Sequence, residues 1–205
     1  MKYIFLVLFM TTISFATVEQ KKKHFLDLFV PAITKVYNEL QNEYKRIEYN
    51  IKHSKNIPEI KMLMKKYKVT TKKELLKKLK PHPKSIALAQ AALESGWATS
   101  RLFKKANNVF GVWSSNKNEP RVPALLKRGN KTIYLKKFAT IEDSIRHYYK
   151  LLATGRAYRK FRNERMRTNN VYKLIKKLNN YSELGNEYTR RVTIVIRYNR
   201  FTKYD

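Results

Sequence analysis

The sequence predicts a mainly α-helical domain that carries one small β-hairpin. Apolar side chains recur at helical spacing over most of the chain after residue 24. Only between Val122 and Phe138 does the pattern become strand-like, with a turn at Arg128-Gly129-Asn130-Lys131 and alternation from Thr132 onwards. The 205 residues are enough for one domain with a real core, and because the chain has no cysteine, packing must stabilise it.

The first 16 residues are predicted to be a secretory signal peptide. Lys2 precedes a largely apolar run from Tyr3 to about Phe15, and Ser14-Phe15-Ala16 has the small-x-small pattern of a cleavage site. The run is short for a membrane span, which needs about 20 residues. An uncleaved N-terminal anchor is the alternative. We expect an exported protein of the periplasm or the cell wall.

Residues 17–80 are predicted to form an N-terminal helical region that packs on residues 81–205. A helix over residues 24–50 places apolar side chains on one stripe: Phe25, Leu28, Phe29, Ala32, Val36 and Leu40. Pro31 interrupts this stripe and predicts a bend or the start of a new helix. Shorter helices should follow at Ile57–Tyr67 and Thr71–Leu79, the second with Thr71 and Glu74 at capping-box spacing.

The helices of residues 81–205 are predicted to be short. After the break at Pro81-His82-Pro83, one helix runs from Ser85 to about Ser95, and residues 98–118 are loop-rich with one short helical piece. Beyond the hairpin, Thr140 is at capping-box spacing from Asp143 and begins a helix that carries Tyr148. Three more helices are predicted at Ala157–Arg167, Val171–Leu178 and Gly185–Asn199.

Glu94 is the residue most indicative of chemistry. It ends a helix of small and aliphatic residues and shares a face with Gln90 and Ala91, so we expect its carboxylate to be poorly solvated. Gly96 is suited to close the helix, which leaves Glu94 near the negative end of the helix dipole. Both effects raise the pKa of a carboxyl group. An acid that stays protonated near neutral pH is what cleavage of a glycosidic bond requires.

The charge of the chain is strongly positive, with 45 Lys and Arg against 15 Asp and Glu, or +30. The cations are spread along the chain, as on the polar faces of many helices, and we expect no nucleic-acid partner. An exported protein meets other polyanions, among them the carboxylates of the cell wall and anionic lipid headgroups, so peripheral association with anionic surfaces is expected. The four histidines lack metal-ligand spacing with acids, and we predict neither a metal nor another cofactor.

Three segments together resemble the glucosaminidase family of peptidoglycan hydrolases (glycoside hydrolase family 73), and within it the exported Bax-type subgroup. The first two are the run from Ala89 to Trp97, followed by Ser100-Arg101, and the run from Ala106 to Trp113. The third is Tyr181-Ser182-Glu183 with Tyr188 and Ile196-Arg197-Tyr198-Asn199, and the Thr132–Phe138 strand is similar as well. The resemblance extends from about Phe25 to Asp205. It implies a lysozyme-like α-helical fold, residues 81–205 as the catalytic domain, and cleavage of β-1,4 bonds next to N-acetylglucosamine in peptidoglycan glycan strands.

The resemblance also implies that Glu94 is the general acid, with Tyr181 as a second catalytic-site residue. From the residues alone, Tyr181 precedes Ser182, a predicted helix N-cap, which favours a structural role. The predicted substrate-binding residues are Asn107, Asn108, Phe110, Gly111 and Trp113. Asn107 and Asn108 also suit turns, Gly111 permits tight backbone conformations, and Trp113 suits either the groove or the core, whereas Trp97 favours the core.

One departure from the family concerns the second acid, which its members often carry in the hairpin. Between Ser95 and Ile141 this chain has only Glu119, which precedes the hairpin and lies before Pro120. Because a residue before proline favours extended backbone, we expect Glu119 to lie outside the reaction centre. The acetamido group of the substrate, oriented by Tyr181, or the ring closure of a lytic transglycosylase could then take the second role.

Three classes of function remain from the sequence. The first is a wall-cleaving glycosidase, with the lytic transglycosylase as its chemical alternative. The second is a non-catalytic wall-binding protein that keeps the groove. The third is a binder of polyanions driven by charge alone, which would give no reason for the arrangement from Glu94 to Trp113. We favour the glycosidase.

Overall fold

The computed structural model describes residues 4–128 and 131–205, with side chains for 18–125 and 132–205. This part of the chain forms nine α-helices and two strands: α1 (Ile4–Lys52), α2 (Ile57–Tyr67), α3 (Lys72–Leu79), α4 (Lys84–Ser95), α5 (Arg101–Ala106), β1 (Arg121–Arg128), β2 (Lys131–Lys136), α6 (Ile141–Thr154), α7 (Arg159–Arg165), α8 (Val171–Ile175) and α9 (Asn186–Tyr198). Single 3₁₀ turns lie at Arg156–Tyr158 and Phe201–Tyr204. The predicted mainly α class with one hairpin is confirmed.

Helix α1 is continuous, so the new helix start predicted at Pro31 is wrong. Proline removes the hydrogen bond to the carbonyl four residues earlier, here that of Asp27. Both Pro31 and Asp27 are exposed, so water can satisfy that carbonyl. On the opposite side Phe29 and Ile33 are fully buried, and their packing keeps the helix in place.

The buried side chains form two clusters, and α1 contributes to both. Phe25 to Val36 pack into the main cluster with α4, α6, α8 and α9. Further along α1, Tyr44 and Ile47 pack with α2 and α3 in a smaller cluster. Residues 17–80 therefore contact the rest of the chain mainly through α1.

Helix α4 lies at the centre of the main cluster, and every side chain from Ser85 to Ala92 is buried. Its first turn is capped from a distant part of the chain. The Asp205 carboxylate accepts from the Ser85 N–H at 2.8 Å and from the Ser85 hydroxyl at 2.7 Å. A carboxylate at this end of a helix satisfies a free N–H and interacts favourably with the helix dipole.

The hairpin is antiparallel, with Arg121 opposite Lys136 and Lys127 opposite Thr132. Its register shifts between Pro123 and Lys127, where the extra length makes an irregularity in β1. The base of the hairpin is fixed by the Phe138 N–H, which donates to the Ala106 carbonyl at 2.8 Å. Positions 129 and 130 of the predicted turn lie outside the described residues.

Several local predictions are confirmed. Helix α2 has the predicted bounds, and the Thr71 hydroxyl accepts from the Glu74 N–H at 3.2 Å. Helix α9, by contrast, begins at Asn186 with Gly185 as its N-cap, so the N-cap predicted at Ser182 is wrong. The Ser182 hydroxyl instead accepts from the Leu184 N–H within a turn.

The predicted signal segment, residues 1–16, falls partly on positions 1–3, outside the described residues, and partly on the first turns of α1. Among the described helices, none has an apolar stretch long enough to cross a bilayer.

Candidate active site

Glu94 lies in the last turn of α4, half-buried at the edge of the main cluster. Its Oε1 accepts a hydrogen bond from the Tyr188 hydroxyl of α9 at 2.9 Å. Burial raises the pKa of Glu94 above its usual range, and the bond from Tyr188 partly offsets this by stabilising the ionised form. The direction is the one that the sequence predicts.

A chain of buried hydrogen bonds continues from Tyr188 into the core. Gln90 Nε2 donates to the Tyr188 hydroxyl at 2.8 Å, and the Tyr148 hydroxyl of α6 donates to Gln90 Oε1 at 2.6 Å. His82 Nε2 lies 2.8 Å from the Tyr148 hydroxyl. We call His82, Tyr148, Gln90 and Tyr188 the Glu94 chain. Through it the carboxyl is connected to a histidine that solvent does not reach.

The backbone after Glu94 makes an unusual left-handed turn. Gly96, Trp97 and Ala98 have φ values of 56°, 58° and 66°, although only the first is glycine. The left-handed conformation costs a non-glycine residue roughly 1–2 kcal/mol. Several hydrogen bonds hold the turn; among them, the Trp97 N–H donates to the Ala92 carbonyl at 2.9 Å, and the Ala98 N–H donates to the Ser95 hydroxyl at 3.0 Å.

Trp97 anchors this turn in the core. Its ring lies edge-on to Phe25, with centroids 5.1 Å apart, and 6.2 Å from the ring of Phe201. The core position favoured from the sequence is therefore the observed one. Trp113, in contrast, is 59% exposed beside the hairpin, where its backbone forms a bridge to Leu135.

Tyr181 lies next to the Glu94 chain. Its ring stacks on Tyr188 with centroids 5.3 Å apart and an angle of 14° between the planes. Burial and the nearby Glu94 carboxylate raise the pKa of the Tyr181 hydroxyl, so it is neutral. Among the described residues this hydroxyl has no hydrogen-bond partner, which leaves it available to a ligand beside Glu94.

The two asparagines predicted to bind substrate are both used inside the protein. Asn107 closes α5 in a left-handed conformation, and its amide donates to the carbonyls of Phe138 and Ala139 at 3.2 and 3.0 Å. Asn108 is 1% exposed, and it bonds to both the N–H and the carbonyl of Val112. These bonds shape the loop, so direct substrate contact by either residue stays a prediction.

Phe110 and Gly111 lie in the same loop. Phe110 is buried and stacks on Tyr148, with centroids 4.0 Å apart, so it packs against the Glu94 chain from the side of the loop. Gly111 has a φ of 65°, and a Cβ there would meet no atom within 4 Å. The glycine is thus required by backbone conformation and not by lack of space.

Glu119 is held by its own partners at the base of the hairpin. Its carboxylate accepts from the Ser114 hydroxyl at 2.7 Å and pairs with the Lys136 ammonium at 2.9 Å. These two contacts hold the pKa of Glu119 below its usual range. These contacts tie Glu119 to the base of the hairpin, and its place outside the reaction centre stays a prediction.

A second concentration of functional groups lies on the surface around α7. Three adjoining cavities of about 430, 380 and 450 Å³ share Arg159 in their walls. We call this surface the basic face; its cations are Lys68, Lys77, Lys78, Arg156, Arg159, Lys160, Arg162, Lys176 and Lys177. None of them forms an ion pair with a described residue, and Glu74 is the one acid in the walls.

The sequence did not identify the Glu94 chain as a unit. Gln90, four residues before Glu94, carries a local signal because residues at that spacing share a helix face. His82 and Tyr148 carry none, because they come from a break and from another helix. Among the described residues, no three histidine, cysteine or acidic side chains group as a metal site requires.

Comparison with known sequences gives one family match. A sequence model of the glucosaminidase family, described as mannosyl-glycoprotein endo-β-N-acetylglucosaminidase, matches residues 69–201. That segment includes Glu94, Tyr181 and the whole Glu94 chain.

Two curated proteins are similar to this chain. Protein Bax of Escherichia coli (strain K12) is 29% identical over 191 residues, covering 82% of this chain and 66% of that protein. Exo-glucosaminidase LytG of Bacillus subtilis (strain 168) is 34% identical over 104 residues, covering 48% of this chain and 34% of that protein. The chain therefore spans 66% and 34% of the lengths of these two relatives.

Among solved structures, the catalytic domain of the autolysin Auto from Listeria monocytogenes superposes with a TM-score of 0.52 at 21% identity. The alignment covers 85% of this chain and 88% of that domain. The likeness concerns the fold, and the predicted lysozyme-like helical fold is confirmed by it.

Proposed function

Because this chain belongs to the glucosaminidase family of glycoside hydrolases, we propose that it cleaves β-1,4 glycosidic bonds next to N-acetylglucosamine in peptidoglycan. The observation that carries the proposal is the environment of Glu94. The carboxyl is half-buried, its pKa is raised, and its one hydrogen-bond donor among the described residues is Tyr188. A carboxyl in this state can hold a proton until a substrate oxygen accepts it.

In the reaction, Glu94 is the general acid. Its proton passes to the glycosidic oxygen while the bond from that oxygen to the anomeric carbon breaks, and the leaving sugar keeps the bonding electron pair. Positive charge develops on the anomeric carbon. We propose that the acetamido carbonyl of the cleaved sugar attacks this carbon, with the Tyr181 hydroxyl orienting the acetamido group. Water then opens the ring that has formed.

The state of Glu119 favours a mechanism with one essential acid. Its two oxygens are occupied by partners within the hairpin, Oε1 by the Ser114 hydroxyl and Oε2 by the Lys136 ammonium. The same observation favours the alternative, a lytic transglycosylase, in which the sugar closes an anhydro ring on itself and no water is activated. A non-catalytic wall-binding protein remains the second alternative.

We place the substrate along the side of α4 that carries Glu94, between Tyr181 and the loop of residues 107–113. Trp113 is the exposed aromatic side chain of that loop, and its ring suits stacking on a sugar. We also propose that residues 17–80 support residues 81–205, which carry the reaction. From the predicted signal peptide we also propose that the protein is exported to the periplasm or the cell wall.

We further propose that the basic face holds the enzyme on anionic wall material. Its cations have no ion-pair partners in the described chain, and Arg159 and Lys160 are exposed. Burial lowers the pKa of Arg162, and the charge of the neighbouring Arg159 lowers it further, as expected from the repulsion of like charges held close together. An anion bound there would relieve that repulsion.

Digestion of purified peptidoglycan, followed by mass analysis of the new sugar ends, tests the proposal. A glucosaminidase leaves reducing N-acetylglucosamine ends, and a transglycosylase leaves anhydro sugars. We expect the first product, and about 10²–10⁴-fold less of it from Glu94→Gln. Reducing N-acetylmuramic acid ends, or wall binding without any cleavage, would contradict the proposal.

A further inference from the structure

The Glu94 chain has a direction, which follows from counting protons. Tyr148 has one O–H, and it donates this proton to Gln90 Oε1 at 2.6 Å. The bond between Tyr148 and His82 Nε2, 2.8 Å long, must therefore be donated by the histidine. His82 is neutral, because burial and the charge of Arg165 lower its pKa well below the usual value. Its Nδ1 consequently carries a lone pair.

The other end of the chain follows from the same counting. Because Gln90 Oε1 accepts from Tyr148, the amide nitrogen Nε2 faces Tyr188 and donates to its hydroxyl oxygen at 2.8 Å. Tyr188 has a single O–H, and it donates this proton to Glu94 Oε1 at 2.9 Å. All four bonds run one way, from the histidine to the carboxyl.

The opposite direction is disfavoured at His82. Reversal would turn the Gln90 amide and make Tyr148 donate to His82 Nε2, which moves the ring hydrogen to Nδ1. That atom is buried and has no hydrogen-bond partner among the described residues. A buried N–H without an acceptor is rarer in proteins than an unused lone pair.

We propose that the Glu94 chain commits the Tyr188 hydroxyl to Oε1 of Glu94, so that Oε2 is the oxygen that carries and delivers the catalytic proton. Reversal would let Glu94 donate its own proton to Tyr188, away from a substrate. His82, Tyr148 and Gln90 are thus positioning residues for the reaction, acting through Tyr188. This inference rests on the proposed function, in which Glu94 is the general acid.

The other groups near Glu94 and near His82 do not supply the hydrogen bonds that the Glu94 chain supplies. Besides Tyr188 on α9, the titratable group near Glu94 is Tyr181, whose hydroxyl is neutral. His82 is surrounded by Tyr148 and Tyr149 of α6 and by Arg165 of α7. None of these supplies a hydrogen bond to Nδ1 of His82.

Two adjacent tyrosines give a matched test. Tyr148 and Tyr149 are both buried on α6 and both rings contact His82, but the Tyr149 hydroxyl donates to the His82 backbone carbonyl, at 3.5 Å, and not to a side chain of the Glu94 chain. We compare Tyr148→Phe with Tyr149→Phe in the intact protein. The first readout is the NMR titration of ¹³C-labelled glutamate carboxyls, with Glu94 assigned from Glu94→Gln. The second is the pH profile of kcat and kcat/KM on peptidoglycan fragments.

Without the Tyr148 hydroxyl the Gln90 amide can turn, and Tyr188 then donates to Gln90 instead of Glu94. We expect the pKa of Glu94 to rise further in Tyr148→Phe, because its ionised form loses a donor. The alkaline limb of the pH profile should move to higher pH, and kcat should fall about tenfold at constant KM, as for loss of a hydrogen bond to a charged group. Tyr149→Phe should behave as wild type.

Equal behaviour of the two variants, or an unchanged Glu94 titration in folded Tyr148→Phe, would overturn the inference. If Tyr148→Phe does not fold, Tyr188→Phe takes its place, since its ring can still stack on Tyr181. An unchanged titration in that variant would be equally decisive. The titration judges the chain whether or not Glu94 is the acid, whereas near wild-type activity of Glu94→Gln would refute the proposed function alone.

Discussion

The hydroxyl of Tyr188 donates to Oε1 of Glu94 at 2.9 Å, although the two residues are 94 positions apart in the chain. This contact joins the last turn of α4 to α9, and it opposes the rise that burial causes in the pKa of the carboxyl. The properties of the proposed acid are therefore set by distant parts of the fold, which makes them accessible to mutation.

Glu94→Gln should abolish most of the activity while the protein stays folded. The amide keeps the shape of the side chain and can accept from Tyr188, but it has no acidic proton. We expect the release of reducing ends from peptidoglycan to fall by about 10²–10⁴-fold, the range of general acid catalysis. Glu119→Gln is the matched control and should keep most of the activity; a loss as large as that of Glu94→Gln would place Glu119 in the reaction.

The same two variants should change stability in opposite directions with pH. The pKa of Glu94 is raised in the folded state, so stability is lost as the pH rises through that value. Glu94→Gln should therefore gain in Tm relative to wild type between acidic and neutral pH. The pKa of Glu119 is lowered by Lys136 and Ser114, so its contribution is present at neutral pH and lost in acid.

Thermal unfolding monitored by circular dichroism between pH 3 and pH 8 would measure how the Tm of Glu94→Gln and of Glu119→Gln depends on pH. Glu119→Gln should lower Tm near pH 7, and its difference from wild type should begin to shrink near the usual glutamate pKa of about 4.3 and disappear only below the lowered pKa of the folded state. Tm differences of the same sign for the two variants would show that the environments of these carboxyls have been misassigned.

Tyr181→Phe should reduce kcat without unfolding the protein. The ring keeps its stacking on Tyr188, while the hydroxyl proposed to orient the acetamido group is lost. We expect a drop of about tenfold, the scale of one hydrogen bond to a polarised group, and a change in Tm of only a few degrees. Kinetics on peptidoglycan fragments would measure it, and unchanged kcat would leave Tyr181 a packing residue.

The basic face should control association with the wall more than the chemistry. The double variant Arg159→Gln and Lys160→Gln should bind intact wall more weakly, and the salt dependence of its binding should be shallower, because fewer charges are screened. Lys61→Gln with Lys65→Gln, which removes two exposed cations of α2, is the control of equal charge. Cosedimentation with wall at several salt concentrations measures binding, and equal losses in both variants would reduce the effect to net charge.

Substitutions of Trp113 and Trp97 should have different effects, the first on substrate binding and the second on stability. Trp113 is 59% exposed, so Trp113→Ala should leave Tm nearly unchanged and raise KM if the ring is a sugar platform. Trp97→Ala should instead lower Tm, because the ring packs on Phe25 and anchors the left-handed turn. A raised KM for both, without loss of stability, would contradict the core role of Trp97.

The sequence predicted what depends on local pattern. Helical periodicity and capping spacing were sufficient for α2 and for the caps at Thr71 and Thr140, because these are set by neighbours within one turn. The prediction at Pro31 was wrong because the free-energy cost of a proline inside a helix depends on whether water reaches the unpaired carbonyl, here that of Asp27. Tertiary packing decides this. The start of α9 was predicted to within one residue, but the N-cap assigned to Ser182 was wrong because Ser182 forms a turn of its own.

The candidate site shows the same division. Glu94, Tyr181 and the loop motif are visible in sequence because the family resemblance carries them. The hydrogen bonds that govern Glu94 are not: the resemblance includes Tyr188 without giving it a role, and His82 and Tyr148 are connected to it only in the folded core. Asn108 is visible in the sequence as a turn residue, but its structural role is not. In the structure its side chain is buried, and its hydrogen bonds to Val112 hold its own loop in shape.

The cap on the first turn of α4 has a consequence for how the site assembles. Ser85 and Asp205 are 120 residues apart, so the helix that carries Glu94 gains its cap only after most of the chain has closed into a loop. Closing distant contacts is slow compared with forming a helix. During refolding, helical signal should therefore return before enzymatic activity, and a partly folded chain should be an inactive one. For an enzyme whose proposed substrate is the wall of a living cell, cleavage would begin only when folding is complete.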